Sequence, residues 1–240
     1  EIIDFIENND IRNVELYIQT NGIEVDQYVS KYLKNKNVRT CISIDGFTPE
    51  ANVTRKSESE NSTVTTRRIL KGMDHLLEEG HKISTICVLN KMNLGFIDQY
   101  FDECVARGIG LISMNPIINM GRSTLHEELL LSNQEISQAY ISAIQKIESL
   151  LGNGFNIIER NCFYYFRRYI TEKPEYVCMN TPCGAGSCVF VIKCNGDIFP
   201  CSDFSFIPDL RLGNVNEETL FSIKKNQSKE LLYQLYNDSL

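Results

Sequence analysis

The chain has 240 residues, of which 42% are hydrophobic and 23% are charged, and its formal net charge is −7. A chain of this size and composition can bury one large core or two modest ones. Its acidic balance argues against a surface that binds phosphate backbones, so we expect no nucleic-acid partner. No apolar run approaches the about eighteen residues that cross a bilayer, so we also expect no membrane-spanning segment.

The cysteine content indicates a reducing compartment. There are nine cysteines, an odd number, and the opening residues lack the basic stretch of a signal peptide. We therefore expect a cytoplasmic protein in which some thiols bind metal, rather than a disulfide framework. The chain begins at Glu1 instead of Met, and its first residues read as the end of an amphipathic helix. We expect a piece of a longer protein.

Short β-branched runs alternate with longer helical patterns in the first half of the chain. The pattern predicts strands at 14–18, 38–44, 82–89 and 109–116, and helices at 24–34, 63–79 and 94–107. Because the strands are almost continuously apolar, the alternation predicts a parallel sheet with helices outside it.

Further elements are predicted after this alternating part. Ser132 and Glu135 form a capping-box pattern for a helix that runs to Leu150. A strand at 155–159 and an aromatic helix at 161–170 follow, and cysteine, glycine and proline become frequent from Thr171 onward. We therefore divide the chain into residues 1–130, connecting helices at 131–170, and a C-terminal region at 171–240.

Polar residues follow the predicted strands at one edge of the sheet. Thr20 follows the first strand, Ser43 and Asp45 lie at the end of the second, and Asn90 and Asn115 at the ends of the third and fourth. The carboxyl ends of parallel strands form the active edge of β/α proteins. However, Asn, Asp and Gly are also favoured wherever a strand turns into a helix.

The C-terminal region contains a predicted hairpin flanked by thiols. Asn195-Gly196 follows an apolar run and predicts a type I′ turn, in which both central residues have positive φ. The return strand brings Cys201 back towards Cys183 and Cys188. Converging thiolates suit a soft metal or an iron–sulfur cluster, while zinc ligation or buried structural cysteines remain alternatives.

The spacing from Cys183 through Gly196 to Cys201 resembles the opening of a SPASM domain, the auxiliary-cluster module of many radical SAM enzymes. Four further motifs resemble the third to sixth strands of radical SAM barrels in the peptide- and protein-maturase group. They are IQTNG at 18–22, CISIDG at 41–46, STICVLNKMN at 84–93 and MNPIINMGR at 114–122. The resemblance implies a partial TIM-like β/α barrel followed by a small cysteine-rich SPASM region, similar to anaerobic sulfatase-maturating enzymes and ribosomal-peptide maturases.

The resemblance also implies a binding site for S-adenosylmethionine. The positions that match its cofactor-binding residues are Gln19, Thr20, Ser43, Asp45, Arg55 and Leu89. Ser43 and Arg55 would hold the amino-acid part of the cofactor, whose carboxylate suits a guanidinium fork. Asp45 would reach the ribose hydroxyls, although a turn role fits an Asp-Gly pair equally well. Leu89 would pack against adenine or, as is commoner for such a residue, belong to the core.

The function implied by the resemblance is peptide or protein modification. Reduction of a [4Fe–4S] cluster would cleave S-adenosylmethionine to a 5′-deoxyadenosyl radical, which abstracts a substrate hydrogen. An auxiliary cluster would be held partly by Cys183 and Cys201, with Cys188 or Cys194 as third ligand. Expected partners are a peptide or protein substrate and a reductant such as ferredoxin or flavodoxin.

Three departures from the family pattern stand out. The chain contains no CxxxCxxC sequence for the catalytic cluster, Ala51-Asn52 replaces a usual His-Asp pair, and no cysteine follows Cys201. We therefore expect this chain to be inactive alone. Two alternatives stay open: a non-catalytic peptide-binding module or truncated paralogue, and a β/α barrel with a zinc-binding cysteine cluster.

Overall fold

The computed structural model of the protein describes residues 2–55, 60–180, 183–219 and 221–223. The chain divides into two compact units, Glu1–Phe163 and Tyr164–Leu240. The breaks predicted from composition, after residues 130 and 170, stay a prediction. None of the helices in the described residues combines the length and the apolar character needed to cross a membrane.

The first unit is built on a parallel sheet of five strands in chain order. The strands are β1 Tyr17–Thr20, β2 Arg39–Ser43, β3 Ser84–Leu89, β4 Leu111–Pro116 and β5 Ile158–Glu159. The helices are α1 Ile2–Asn8, α2 Gln27–Asn35, α3 Ser62–Glu78, α4 Ile97–Ala106 and α5 Asn133–Gly152. The predicted parallel β/α fold is confirmed.

One face of this sheet is apolar and packs against the helices. Ile42, Cys87 and Ile112 come from three neighbouring strands and are buried in a single core. Met73 of α3 and Phe101 of α4 belong to the same core and are both 0% exposed. Helices packed outside a parallel sheet are the arrangement that the alternation of strands and helices predicts.

The other face of the sheet carries polar side chains. Gln19 of β1 is exposed, and Ser43 of β2 and Asn115 of β4 are half-buried. Successive side chains of a strand point to opposite faces, so Ser43 shares its face with Cys41 and not with Ile42. This polar face is the one open to a ligand.

Capping residues explain where the helices begin. Asp26 accepts a hydrogen bond from the Val29 N–H at 2.8 Å, so α2 begins three residues later than its apolar pattern predicts. The predicted capping box of α5 is confirmed, with the Glu135 N–H donating to Ser132 Oγ at 3.2 Å and the Ser132 N–H to Glu135 Oε2 at 2.7 Å.

Helix α3 lies directly on the turn that follows β1. A Cβ placed on Gly72 would collide with the carbonyl oxygen of Gly22, and the nearest side-chain atom, Val25 Cβ, would be 3.3 Å away. Gly22 itself has a φ of 75°, a conformation that suits glycine. The pair of glycines therefore fixes how closely α3 approaches the carboxyl end of β1.

We expect Gly72→Ala to destabilise the protein by about 1–3 kcal/mol, since an added methyl group meets backbone and the helix must shift. The matched control is Gly152→Ala at the end of α5, where a Cβ would meet nothing within 4 Å. That variant should stay within about 0.5 kcal/mol of the parent. Denaturant unfolding followed by circular dichroism measures both, and equal stability of the two variants would contradict the close contact.

The second unit contains a small antiparallel sheet. Helix α6, Arg160–Thr171, crosses the boundary between the units, and the sheet has the order β6-β7-β8. Its strands are β6 Val191–Ile192, β7 Asp197–Phe199 and β8 Gly213–Asn214. The predicted hairpin is confirmed, with Val191 opposite Phe199.

The turn of this hairpin differs from the predicted type I′ turn. The Lys193 N–H donates to the Asp197 carbonyl at 2.8 Å and the Gly196 N–H to the Lys193 carbonyl at 2.9 Å, which leaves a loop of three residues. Gly196 has a φ of 88°, whereas Asn195 is outside the left-handed region. The last pair before the loop is Lys193 with Asp197, so Gly196 belongs to the loop. The loop is therefore a three-residue turn that ends in one left-handed glycine.

Candidate functional site

A cavity of about 440 Å³ lies at the carboxyl ends of β1, β2 and β3. Ile69 of α3, Asp45 and Arg55 after β2, and His126 and Leu129 after β4 contribute to its walls. This is the edge at which parallel β/α proteins bind their ligands. A second depression, of about 610 Å³, lies between α4 and α5 on the outside of the unit and includes none of the predicted site residues.

Asp45 is the central polar residue of the cavity wall. It is 4% exposed, and its Oδ1 accepts hydrogen bonds from the Val88 N–H at 2.8 Å and from Arg55 Nη2 at 2.7 Å. Thr54 Oγ1 donates to Asp45 Oδ2 at 3.3 Å. The carboxylate thus joins the end of β3 to the segment after β2.

Arg55 lies beside Asp45 in the cavity wall. Its side chain is 20% exposed and contacts Asp45 through Nη2. Its Nε is buried and has no hydrogen-bond partner in the part of the chain that the structure describes. A buried donor without an acceptor is costly, so a carboxylate that supplied one would be stabilised. The residues present therefore fit the amino-acid carboxylate of S-adenosylmethionine.

Asn52 holds together the loop after β2, in which the sequence departs from the family pattern at Ala51-Asn52. It is 0% exposed, and its Oδ1 accepts a hydrogen bond from the Asp45 N–H at 2.9 Å. Its Nδ2 donates to the carbonyls of Gly46 and Thr48. The Cβ of Ala51 lies so close to Gly46 that a side chain at position 46 would collide with it. The loop from residue 45 to 52 is thereby closed on itself.

The structure brings some of the predicted residues together and separates others. Gln19 Nε2 donates to Ser43 Oγ at 3.3 Å on the polar face of the sheet. Thr20 Oγ1 accepts a hydrogen bond from the Gly22 N–H at 3.2 Å, within the turn. Leu89 is 1% exposed and lies in the hydrophobic core, on the face of the sheet that the helices cover.

His126 is a cavity residue that the sequence did not reveal. It lies between β4 and α5, and its Nδ1 is 3.0 Å from Glu128 Oε1. Hydrogen bonds from the Glu128 backbone and from His126 lower the pKa of Glu128. None of the three histidines follows directly after a predicted strand, so the sequence did not suggest a histidine in the site. His126 reaches the cavity because the segment after β4 folds back, with the Lys91 N–H donating to the Leu129 carbonyl at 3.2 Å.

Three cysteines of the first unit belong to its interior. Cys41, Cys87 and Cys104 are buried. Burial raises the pKa of Cys87 well above its usual value and that of Cys104 to about 12. A thiol must lose its proton to bind metal. The raised pKa values of Cys87 and Cys104 therefore favour a structural role in the core over metal binding.

The cysteines of the second unit are exposed or half-buried and lie at two ends of the hairpin. At the open end, the Gly186 N–H donates to the Pro200 carbonyl at 2.9 Å and the Cys188 N–H to the Gly184 carbonyl at 2.8 Å. These bonds bring the chain around Cys183, Cys188 and Cys201 to the same end.

Cys178 lies near this end as well, although the sequence did not suggest it. A Cβ on Gly184 would be 2.5 Å from Val177 Cγ1 and 3.4 Å from Cys188 Cβ, so the turn that holds Cys178 is adjacent. Cys194 lies in the three-residue loop at the other end. At roughly 3.3 Å per residue, it is on the order of 16 Å from the chain opposite Cys201.

The thiols that the structure describes are the donors that an iron–sulfur site needs, but their side chains are not arranged as a ligand set. Within the described residues, no group of three or more His, Cys, Asp and Glu side chains is placed to hold a metal ion. The shared end of the hairpin favours Cys183, Cys188 and Cys201 over Cys194 as a ligand set.

Asp197 ties the hairpin to the strand that follows it. Arg211 Nε and Asn214 Nδ2 donate to its Oδ1 at 2.5 and 3.0 Å, and Asn195 Nδ2 donates to its Oδ2 at 2.7 Å. The hydrogen bond from Arg211, with those from Asn214 and Asn195, lowers the pKa of Asp197 to about 2.

This lowered pKa predicts a pH-dependent contribution to stability. A carboxylate whose pKa is lower in the folded than in the unfolded chain stabilises the fold above about pH 3.9, and the contribution is lost as the pH falls towards 2. We therefore expect Asp197→Asn to lower the thermal midpoint at neutral pH, and the difference from the parent to vanish near pH 2. Asp203→Asn is the control, because the Asp203 carboxylate is exposed and accepts a long hydrogen bond of 3.4 Å from Ser202 Oγ. A difference that grows on acidification would contradict the assignment.

Comparison with known proteins agrees with the fold and with the cysteine pattern. Residues 183–238 match the SPASM family, which is described as an iron–sulfur cluster-binding domain. The predicted resemblance to radical SAM maturases with a C-terminal SPASM domain is thereby supported at the hairpin, and the fold comparison extends it to the first unit.

Among the relatives is a cysteine-type anaerobic sulfatase-maturating enzyme from Clostridium novyi (strain NT), 23% identical over 227 residues that cover 91% of this chain and 58% of that protein. The solved structure of native anSMEcpe with bound AdoMet has a TM-score of 0.80 at 16% identity and covers 96% of this chain and 63% of that one. Streptococcus suis SuiB bound to S-adenosylmethionine has a TM-score of 0.66 at 17% identity, with 94% and 51% covered.

The resemblance inferred from the sequence motifs is confirmed by these matches: the chain has the fold of anSMEcpe and SuiB, and residues 183–238 match the SPASM domain. It spans 58% of the Clostridium novyi enzyme and 63% of the anSMEcpe chain.

Proposed function

We propose that the full protein containing this chain is a radical SAM enzyme that modifies a peptide or protein. The observation that carries the proposal is Arg55, a cavity residue with a buried Nε that lacks a hydrogen-bond partner among the described residues. It lies at the carboxyl edge of a parallel sheet, where ligands of such folds bind.

The residues of the first unit would bind and orient S-adenosylmethionine. Arg55 would donate to the amino-acid carboxylate, and a guanidinium can do so through two parallel bonds. Ser43 and Gln19, which are hydrogen-bonded to each other at 3.3 Å, would supply neutral polar contacts on the open face of the sheet. Leu89 has no place in this arrangement because it lies in the core.

A [4Fe–4S] cluster and S-adenosylmethionine held at this site would supply radical chemistry, in which one electron from the reduced cluster cleaves the cofactor into methionine and a 5′-deoxyadenosyl radical that takes a hydrogen atom from the substrate. The chain contains no CxxxCxxC sequence, so residues outside it would ligate that cluster. The apolar side chains Ile23, Ile69 and Leu129 line the cavity and would limit the access of water.

The second unit would hold an auxiliary cluster. Cys183 and Cys201 are its proposed ligands, and Cys188 and Cys178 lie near the same end of the hairpin. Thiolates are the ligands that iron–sulfur clusters require, and the match to a cluster-binding domain supports this choice over zinc.

A peptide or protein is the proposed substrate. Structures of anSMEcpe with bound peptides and of SuiB with its precursor peptide SuiA are among the structural neighbours. A low-potential electron donor of the ferredoxin or flavodoxin type is the proposed reductant, which places the reaction in a reducing compartment such as the cytoplasm.

Anaerobic reconstitution of the full-length protein tests this function. With S-adenosylmethionine and dithionite, it should form 5′-deoxyadenosine, and omission of dithionite should abolish the product. Zinc instead of iron in the reconstituted protein would favour a zinc-binding β/α barrel. Iron without any 5′-deoxyadenosine would favour a non-catalytic module.

A further inference from the structure

Asp45 is held in the cavity wall by several hydrogen bonds. Its Oδ1 accepts two hydrogen bonds, from the Val88 N–H at 2.8 Å and from Arg55 Nη2 at 2.7 Å, and its Oδ2 accepts a third from Thr54 at 3.3 Å. The backbone of Asp45 is held as well, since its N–H donates to Asn52 Oδ1 at 2.9 Å. Asp45 is thus a fixed point between the ends of β2 and β3.

These hydrogen bonds leave few acceptor positions on the Asp45 carboxylate for ribose hydroxyls. A carboxylate offers about four acceptor positions, and three of those on Asp45 are used within the chain. The side chain is also 3% exposed, against 20% for that of Arg55. The exposed partner of the pair is therefore the guanidinium.

We infer that Asp45 is the positioning residue of Arg55 rather than a cofactor ligand. This inference rests on the proposed binding of S-adenosylmethionine. Arginine has a long side chain that loses considerable rotamer freedom when it is ordered. Asp45 orders it in the absence of ligand by holding Nη2 against the fixed end of β3, which leaves Nε and the rest of the fork for the incoming carboxylate.

Geometry and charge predict opposite results when Asp45 is changed. The negative charge of Asp45 opposes a second carboxylate beside Arg55, so its loss alone should not weaken binding. Loss of Asp45 Oδ1, the oxygen that holds Arg55 Nη2, should weaken binding of S-adenosylmethionine. Asp45→Asn removes the charge and keeps an oxygen that can accept from Val88 and Arg55, whereas Asp45→Ala removes both.

Equilibrium titration of S-adenosylmethionine into the full-length protein, at matched iron content, separates these cases. We expect Asp45→Asn to bind within about threefold of the parent and Asp45→Ala to bind roughly tenfold more weakly, as for loss of one oriented charge-assisted contact. If Asp45→Ala gives too little folded protein, Asp45→Ser replaces it, because its hydroxyl is too short to reach Arg55 Nη2.

A double-mutant cycle with Arg55→Ala distinguishes positioning from a general loss of structure. If Asp45 acts through Arg55, Asp45→Ala or Asp45→Ser should change the affinity by less than about twofold in the Arg55→Ala background. A tenfold loss in both backgrounds would overturn the inference, as would an Asp45→Asn protein that binds as weakly as Asp45→Ala. Failure of the parent to bind S-adenosylmethionine would overturn the proposed function, and the inference with it.

Discussion

Arg55→Ala should weaken the binding of S-adenosylmethionine to the full-length protein by roughly ten- to a hundredfold. The reason is the loss of a charge-assisted contact, whose loss commonly costs on the order of 1.5–3 kcal/mol. Arg55→Lys should recover only part of the affinity, because an ammonium group lacks the planar fork. Calorimetric titration at matched cluster content measures all three proteins.

The control for this prediction is Arg39→Ala. Arg39 pairs with Glu15 at 3.2 Å, and the two side chains are 69% and 77% exposed. It begins β2, at the end opposite to the cavity. Its replacement should leave the affinity unchanged, since exposed ion pairs contribute little. An Arg55→Ala protein that is folded and binds like the parent would remove Arg55 from the site.

Replacement of Cys183 and Cys201 by alanine should remove the auxiliary cluster from the reconstituted protein. The expected loss is about four iron and four sulfide per cluster, while the iron bound elsewhere in the protein stays. Iron and sulfide analysis, with electron paramagnetic resonance of the reduced protein, measures the change.

Cys194→Ala is the matched control for the cluster prediction. Cys194 is as much an exposed thiol as Cys183, but it lies in the loop at the far end of the hairpin. We therefore expect it to retain all iron, and single replacements of Cys178 and Cys188 to show which of them is a further ligand. Loss of iron from the Cys194 variant, or full iron in the double variant, would contradict the proposed ligand set.

The elements that the sequence predicted well are those set by local chemistry. The β-branched runs around Ile42 and Ile86 could only be buried strands, and Ser132 with Glu135 marked the start of α5 before any tertiary contact was known. The turn at Gly196 was also predictable from local sequence. The length of the loop was not, because it depends on which residue of the opposite strand pairs with Lys193.

The parts of the site that escaped prediction depend on contacts between distant segments. Sequence periodicity shows that Leu89 and Cys87 share a face of β3, but not that this face is the one the helices cover. Likewise, His126 enters the cavity through the folding of a long connection. The motifs assigned Asp45 to the ribose of S-adenosylmethionine and Arg55 to its amino-acid carboxylate. In the structure these two residues form an ion pair with each other, which the motifs did not predict.

The contact between Ala51 and Gly46 has a consequence for how this sequence can vary in evolution. Gly46 is usually read as the flexible half of an Asp-Gly turn, but here it is required because the methyl group of Ala51 occupies the space of its side chain. Any residue with a Cβ at position 51 keeps this constraint in force. Homologues that carry a larger residue at position 46 should therefore have glycine at position 51 or a loop of different length, so that the two positions covary.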